Sequence, residues 1–196
     1  ILLAAGISRR MGARNKLLLP VNGVAMVRHV AEMYLKAVDG PVIVVTGFEA
    51  ARVEAVLTGT RLEFVHNEDF ADGQPSSVAT GLRRAPEADM LLIGLADQPL
   101  LRSDDLNTLI TAHRAGDPGK ITIPVWGDQR GNPIVVPHTL RPRLTENPDR
   151  PGCMRFTRDH REHVQQVALS APGFYTDIDT PAEYDALNVA RREVFP

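Results

Sequence analysis

Short runs that are apolar at every position, separated by stretches whose apolar residues recur at helical spacing, constrain this chain more than any other feature. Val42 to Val45 and Met90 to Leu95 are continuous apolar runs, as strands buried on both faces of a parallel sheet require. Between such runs, Val24 to Val38 carries Val27, Val30, Ala31, Tyr34, Leu35 and Val38, the stripe of an amphipathic helix. Strand and helix in repeated alternation call for crossover connections, so the pattern predicts an α/β fold with three layers and a mostly parallel, Rossmann-like sheet. Ile1 to Ala4 reads as the first strand, Glu49 to Leu57 as a second helix, Leu62 to Val65 as a third strand and Val78 to Arg84 as part of a third helix. A further helix is expected from an N-cap within Ser103-Asp104-Asp105 to about His113. Beyond it, Ile121 to Val125 and Ile134 to Val136 flank the turn-rich segment Trp126 to Gly131, which predicts an irregular, partly antiparallel portion. Thr180-Pro181-Ala182-Glu183 sets a cap, a first-turn proline and a glutamate three residues past the cap, and so starts a last helix. No repeat or linker divides the 196 residues. One domain is expected, with about 1–100 holding a nucleotide and about 101–196 an acceptor.

Charge narrows the function classes. A net charge of -2 and a pI near 6.3 argue against a general nucleic-acid or membrane-surface binder, so any phosphate chemistry has to be local. No apolar run approaches the roughly 18 residues that span a bilayer. Cys153 is the only cysteine, which excludes an intrachain disulfide and a multi-thiolate zinc site and fits a reducing cytoplasm. It reads as a small buried residue. Trp126 reads as a packing residue, and the six histidines lack metal-ligand spacing. Because Ile1 already has the character of a strand interior, a short native extension before it is expected.

The loop after the first strand carries the chemistry. Leu3-Ala4-Ala5-Gly6-Ile7-Ser8-Arg9-Arg10-Met11-Gly12, followed by Arg14 and Lys16, joins small residues that let a phosphate approach the backbone to cations that offset its charge. Neither the P-loop pattern nor Gly-x-Gly-x-x-Gly is present, which weakens ATPase and dehydrogenase readings. Asp97 follows an apolar strand, at the sheet edge where open α/β folds bind ligands. There it serves either a divalent metal or an Asp-Gln-Pro turn.

Leu-Ala-Ala-Gly-x-Ser-x-Arg-Met-Gly with Lys16 four residues on resembles the signature loop of the molybdopterin nucleotidyltransferases. Thr46-Gly47, Asn67, Gly73 to Ser77, Ala96-Asp97-Gln98-Pro99, Arg130-Gly131-Asn132-Pro133 and Asp177 to Pro181 follow in the family's order, so the resemblance spans nearly the whole chain. It implies a cytoplasmic Mg²⁺-dependent enzyme of the nucleotidyltransferase fold. In that reading Leu3, Ala4, Ala5, Gly6, Ser8, Arg10, Met11, Gly12, Lys16, Thr46, Gly47, Asn67, Gly73, Ser76 and Ser77 hold the nucleotide. Arg10, Lys16 and Asp97 are catalytic, Asp97 and Asp177 bind Mg²⁺, and Gln98, Asn132 and Pro133 face the acceptor. Asp179 stands as the alternative second ligand, or serves the helix start.

Ala4-Ala5 with Ser76-Ser77 is similar to the cytidylyl branch, which implies CMP transfer from CTP to molybdopterin, with transient contact to a molybdenum hydroxylase or its maturation factor. Guanylyl transfer, a sugar phosphate, polyol phosphate or phospholactate acceptor, and a noncatalytic cofactor-delivery role are the alternatives. From Asp149 to Arg158 the chain departs from the Gly-Asp-x-Gly-x-Arg segment of closer relatives, which leaves the acceptor open.

Overall fold

The computed structural model describes residues 1–146 and 152–194, with side chains described through Leu187 in the last helix. In chain order the elements are β1 (Leu2–Ala4), β2 (Pro20–Val21), β3 (Val24–Ala25), α1 (Met26–Ala37), β4 (Val42–Thr46), α2 (Ala50–Val56), β5 (Leu62–His66), α3 (Gln74–Arg84) and β6 (Met90–Leu95). Then come α4 (Ser103–Ala115), β7 (Ile121–Trp126), β8 (Gln129–Arg130), β9 (Ile134–Pro137), α5 (Cys153–Asp159), β10 (Val164–Ala168) and α6 (Pro181–Val194). Asp149 and its neighbours at the start of the divergent segment lie outside the described residues.

One mostly parallel sheet runs in the order β10-β7-β9-β6-β1-β4-β5, with β8 paired to β7. Strands β6, β1, β4 and β5 are mutually parallel, whereas β9 runs antiparallel to both β6 and β7. The α/β fold and its partly antiparallel second portion are therefore as the apolar pattern predicts. Successive residues of a strand face opposite layers, and the core divides accordingly. Leu2, Ala4, Val42, Val44, Leu92 and Val135 meet α1, α2 and α4 on one face. Leu3, Ile43, Val45, Ile93, Ile134 and Val136 meet α3 and α5 on the other.

Local departures have local causes. Val24 and Ala25 pair with β2 in a small hairpin, so α1 starts two residues later than its periodicity suggests. α4 is capped at Arg102, whose N–H donates to the Asp105 carboxylate at 2.9 Å, so the cap lies one residue before the predicted Ser-Asp-Asp. Trp126 is 54% exposed at the end of β7, contrary to a packing role. α5 and β10 carry too little periodicity to be anticipated.

The order of connections positions the site. From β1 the chain winds outward through β4 and β5, then crosses back to place β6 on the other side of β1. The carboxyl ends of β1 and β6 thus flank the topological switch point, where the diverging loops leave a crevice.

Candidate active site

At that crevice the loops after β1 and β6 meet the start of α3 and the segment before α6. They enclose a cleft of about 460 Å³, a size suited to a small-molecule ligand. Leu3, Ala4, Ala5, Gly6, Ser8, Arg10 and Lys16 line one side, Gly73 and Ser77 a second, and Asp97 and Asp177 a third. A side-chain carbon at Gly6 would meet no protein atom within 4 Å, so the backbone there is open to a close-fitting anion. The loop turns through Ser8 and Gly12, both with positive φ (56° and 68°), and the Ser8 Oγ accepts from the Lys16 N–H at 3.3 Å.

Other residues singled out in the sequence support the cleft from behind. Met11 is buried against Ile178, Tyr184 and Leu187, tying the loop to α6. Thr46 donates its hydroxyl to Glu54 at 2.9 Å. A β-carbon at Gly47 would sit 2.6 Å from that of Phe70 and 2.8 Å from that of Ala5, so only glycine admits this contact. Gln98 is buried and donates its amide to the Phe174 carbonyl at 3.1 Å, facing inward rather than into the cleft. The same carbonyl accepts from the Asn132 N–H at 2.8 Å, which moors the segment leading to Asp177. Continued beyond Ile93–Ile134, the register with β6 carries Pro133 to the level of Gly94 and Asn132 to that of Leu95, at the same sheet edge as Asp97. Asn67 lies behind the first turn of α3 and donates to the hydroxyl of Ser76 within that turn at 2.9 Å, and neither residue lines the cleft.

Three carboxylates face two cations. Asp97, Asp177 and Asp179 each offer an oxygen within 4.8 Å of the others. Lys16 Nζ bridges Asp97 and Asp179, the second at 2.7 Å, and Arg10 pairs with Asp179. Burial alone would lower the Lys16 pKa, but the two carboxylates outweigh it and hold the ammonium above its ordinary value. Burial, then the charges of Asp97 and Asp179, push the Asp177 carboxyl upward. At Asp179 burial pulls the same way, yet the hydrogen bond and charge of Lys16, with Arg10, leave it below the ordinary carboxylate range. Asp179 does not cap α6. Thr180 and Glu183 do so, with Glu183 accepting from the Asp179 and Thr180 N–H groups at 2.8 Å each.

Asp97 Oδ1 is buried and takes no hydrogen bond from the protein. A carboxylate oxygen with free lone pairs, beside two further carboxylates, suits a divalent cation with oxygen ligands. Phe70, Ala71, Gln74 and Asp179 also line the cleft, as do Ile7, Arg9, Leu17 and Leu95. Phe70 and Ala71 occupy a 3-10 turn between Asn67 and Gly73, and that bracketing by two singled-out residues was the available signal for them.

Cys153 takes no part in the cleft. Burial pushes its thiol up to about 12, so at pH 8 the thiolate population, and with it attack on a disulfide reagent, is expected roughly a thousandfold below that of an ordinary thiol. Ellman's reagent should therefore react slowly with the native protein and fully after denaturation. Rapid native labelling would contradict the burial. Among the described residues, no helix is long and apolar enough to cross a membrane.

The MobA-like NTP transferase domain profile matches residues 1–165. Nicotine blue oxidoreductase of Paenarthrobacter nicotinovorans is 32% identical over 92% of this chain and 91% of its own. The purine catabolism protein PucB of Bacillus subtilis is 32% identical over 97% and 95%. A molybdenum cofactor guanylyltransferase of Shewanella is 27% identical over 95% and 93%. In three dimensions, a nucleotidyl transferase from Methanothermobacter thermautotroptrophicus superposes with a TM-score of 0.82 at 22% identity, covering 98% of this chain and 96% of the other. A Mycobacterium tuberculosis protein solved with manganese superposes at 0.72 and 23% identity, covering 95% of each chain.

Proposed function

This chain belongs to the MobA-like NTP transferase family, and from that premise we propose that it transfers a nucleotidyl group, CMP from CTP, to the phosphate of molybdopterin, releasing pyrophosphate. The observation that carries the transfer reading is the convergence of the small-residue loop 3–16 with Lys16, Arg10 and three carboxylates in one cleft. An acceptor phosphate oxygen forms a bond to the α-phosphorus as the bond from that phosphorus to the pyrophosphate oxygen breaks. Such a step needs alignment and charge neutralisation rather than a protein nucleophile. Loop 3–16 offers backbone amides to the triphosphate, while Lys16 and Arg10 oppose the charge gathering on the departing pyrophosphate. Asp97 and Asp177 would hold Mg²⁺, with Asp179 beside them. The ion, when bound, supplies Lewis-acid stabilisation of phosphate oxygens. In this reading about 1–100 would serve the nucleotide and about 101–196 the acceptor, with Asp177 and Asp179 reaching from the second half to the carboxylate cluster.

Support for CTP comes from Ala4-Ala5 in the loop together with Ser77 on the cleft wall. The relatives named for guanylyl transfer and for an oxidoreductase set the competing outcomes. Purified protein is to be incubated with molybdopterin, Mg²⁺ and each of CTP, GTP and ATP, with pyrophosphate release recorded. CTP is expected to be used at least about tenfold better than GTP, the scale on which a few polar contacts discriminate. Preference for GTP overturns the base assignment. Absence of pyrophosphate with every nucleotide, together with consumption of NADH or NADPH on an organic acceptor, transfers the protein to the oxidoreductase class.

A further inference from the structure

Asn67 is buried, and its four side-chain hydrogen-bonding positions are all taken. Its Nδ2 lies 2.9 Å from Ser76 Oγ and 3.0 Å from Ser77 Oγ. Its Oδ1 lies 3.2 Å from the Asp69 backbone nitrogen and 3.4 Å from Thr80 Oγ1. Asp69 N–H has only a donor to offer, so the amide atom facing it has to be the oxygen. That settles which way the amide points, and Nδ2 therefore faces both serines as a donor. Each serine hydroxyl accepts from Asn67 and keeps one proton to give. Ser76 gives its proton to the carbonyls of Asp69 and Gly73, both at 2.8 Å. Among the described residues Ser77 has no such carbonyl, and it lines the cleft.

We infer that Asn67 is a positioning residue that occupies one lone pair of Ser77 and so leaves its hydroxyl proton to be donated to an acceptor atom on the nucleobase of the bound nucleotide. The inference rests on the reading of this cleft as a nucleotide site. It assigns Asn67 an indirect role, since no donor or acceptor on its side chain is left for the ligand. Its own backbone N–H is likewise engaged, with the Thr46 carbonyl at 2.8 Å. Asn67 thus ties the end of β4 to the first turn of α3 and hands one oriented proton to the cleft. A base that presents a carbonyl oxygen or an unprotonated ring nitrogen there takes that proton and is favoured over one that presents an N–H, which is left with the single lone pair that Asn67 does not occupy.

Asn67→Asp tests this at nearly constant shape. A carboxylate accepts from both hydroxyls, so Ser77 turns its proton inward and shows the cleft only lone pairs. CTP binding, followed by calorimetry in the presence of Mg²⁺, is expected to weaken by about tenfold or more, the scale of one lost hydrogen bond to a polar site. In steady state the loss should fall on KM rather than kcat. Ser77→Ala should weaken CTP binding similarly, and adding Asn67→Asp to Ser77→Ala should produce little further loss, because the donor is already gone. Ser77→Thr, which retains a hydroxyl, should recover most of the affinity. Inorganic tripolyphosphate, which has no base, should bind all four variants as it binds the wild type. Independent, additive losses from the two substitutions overturn the inference, as does equal weakening of tripolyphosphate, which would mark a general disturbance of the cleft. Failure of the wild type to bind any nucleoside triphosphate is a separate result and defeats the functional reading itself.

Discussion

Asp97→Ala is expected to lower turnover by roughly 10²–10³-fold, the loss that follows removal of one preorganised electrostatic element from a charge-stabilising site. The fold should survive, because what Asp97 gives the architecture is its backbone. Its carbonyl accepts from the Ile178 N–H at 2.9 Å, and the preceding Ala96 N–H donates to the Leu3 carbonyl at 3.0 Å. The side chain serves the cleft alone. Alanine is the informative replacement, since asparagine would keep a carbonyl oxygen that accepts from the Lys16 ammonium and so remove the charge without removing the contact. Manganese binding in the presence of CTP, measured by calorimetry, should weaken in parallel with turnover. If Asp97→Ala turned over within a few-fold of wild type under limiting Mg²⁺, the carboxylate trio would not be the metal-holding element.

How much of this was legible beforehand varies with the range over which each residue acts. Val42 to Thr46 and Met90 to Leu95 announce themselves because a strand covered on both faces needs apolar side chains at every position. Thr180 and Glu183 announce the start of α6 because the capping box is a local arrangement of four residues. Strand β10 and helix α5 do not. β10 mixes Gln165 and Gln166 among its apolar positions and is specified by its pairing with β7, more than 35 residues away in sequence. At the site, the loop from Leu3 to Lys16 and the position of Asp97 could be read from strand ends. The inward orientation of Gln98 and Asn67 could not, because it depends on the Phe174 carbonyl in one case and on the opening turn of α3 in the other. The pairing of Asp179 with Lys16 and Arg10 is also nonlocal, spanning 163 and 169 residues. From sequence its place beside the α6 cap leaves two readings open, a second metal ligand or a helix-terminal group. Motif order identified the parts of this cleft, while the direction each polar side chain takes emerged only from contacts between distant segments.

Lys16→Met is expected to separate two roles that one ammonium combines. In the structure Lys16 Nζ lies between Asp97 and Asp179 and neutralises them. In the proposed reaction it opposes charge on the triphosphate. Methionine retains the length of the side chain but removes the charge, so the carboxylates are left with Arg10 as their remaining close cationic partner. Their mutual repulsion then costs stability in metal-free buffer, because partly buried like charges without a counter-ion are unfavourable. A divalent cation should relieve that cost, and without an ammonium to compete with it the ion should bind the free protein more tightly than it binds wild type. Melting curves should show Lys16→Met below wild type in EDTA and a larger rise on addition of Mn²⁺. Turnover should nonetheless fall by about 10²-fold or more, since the phosphate-facing charge is gone. Lys16→Arg should recover the melting temperature in EDTA better than the turnover, because a planar guanidinium presents its charge in a different geometry from a compact ammonium. Equal metal-induced shifts in wild type and Lys16→Met would mean that Lys16 does not act as the internal counter-ion of the acidic cluster. Near-normal turnover by the same variant would remove it from the transfer step.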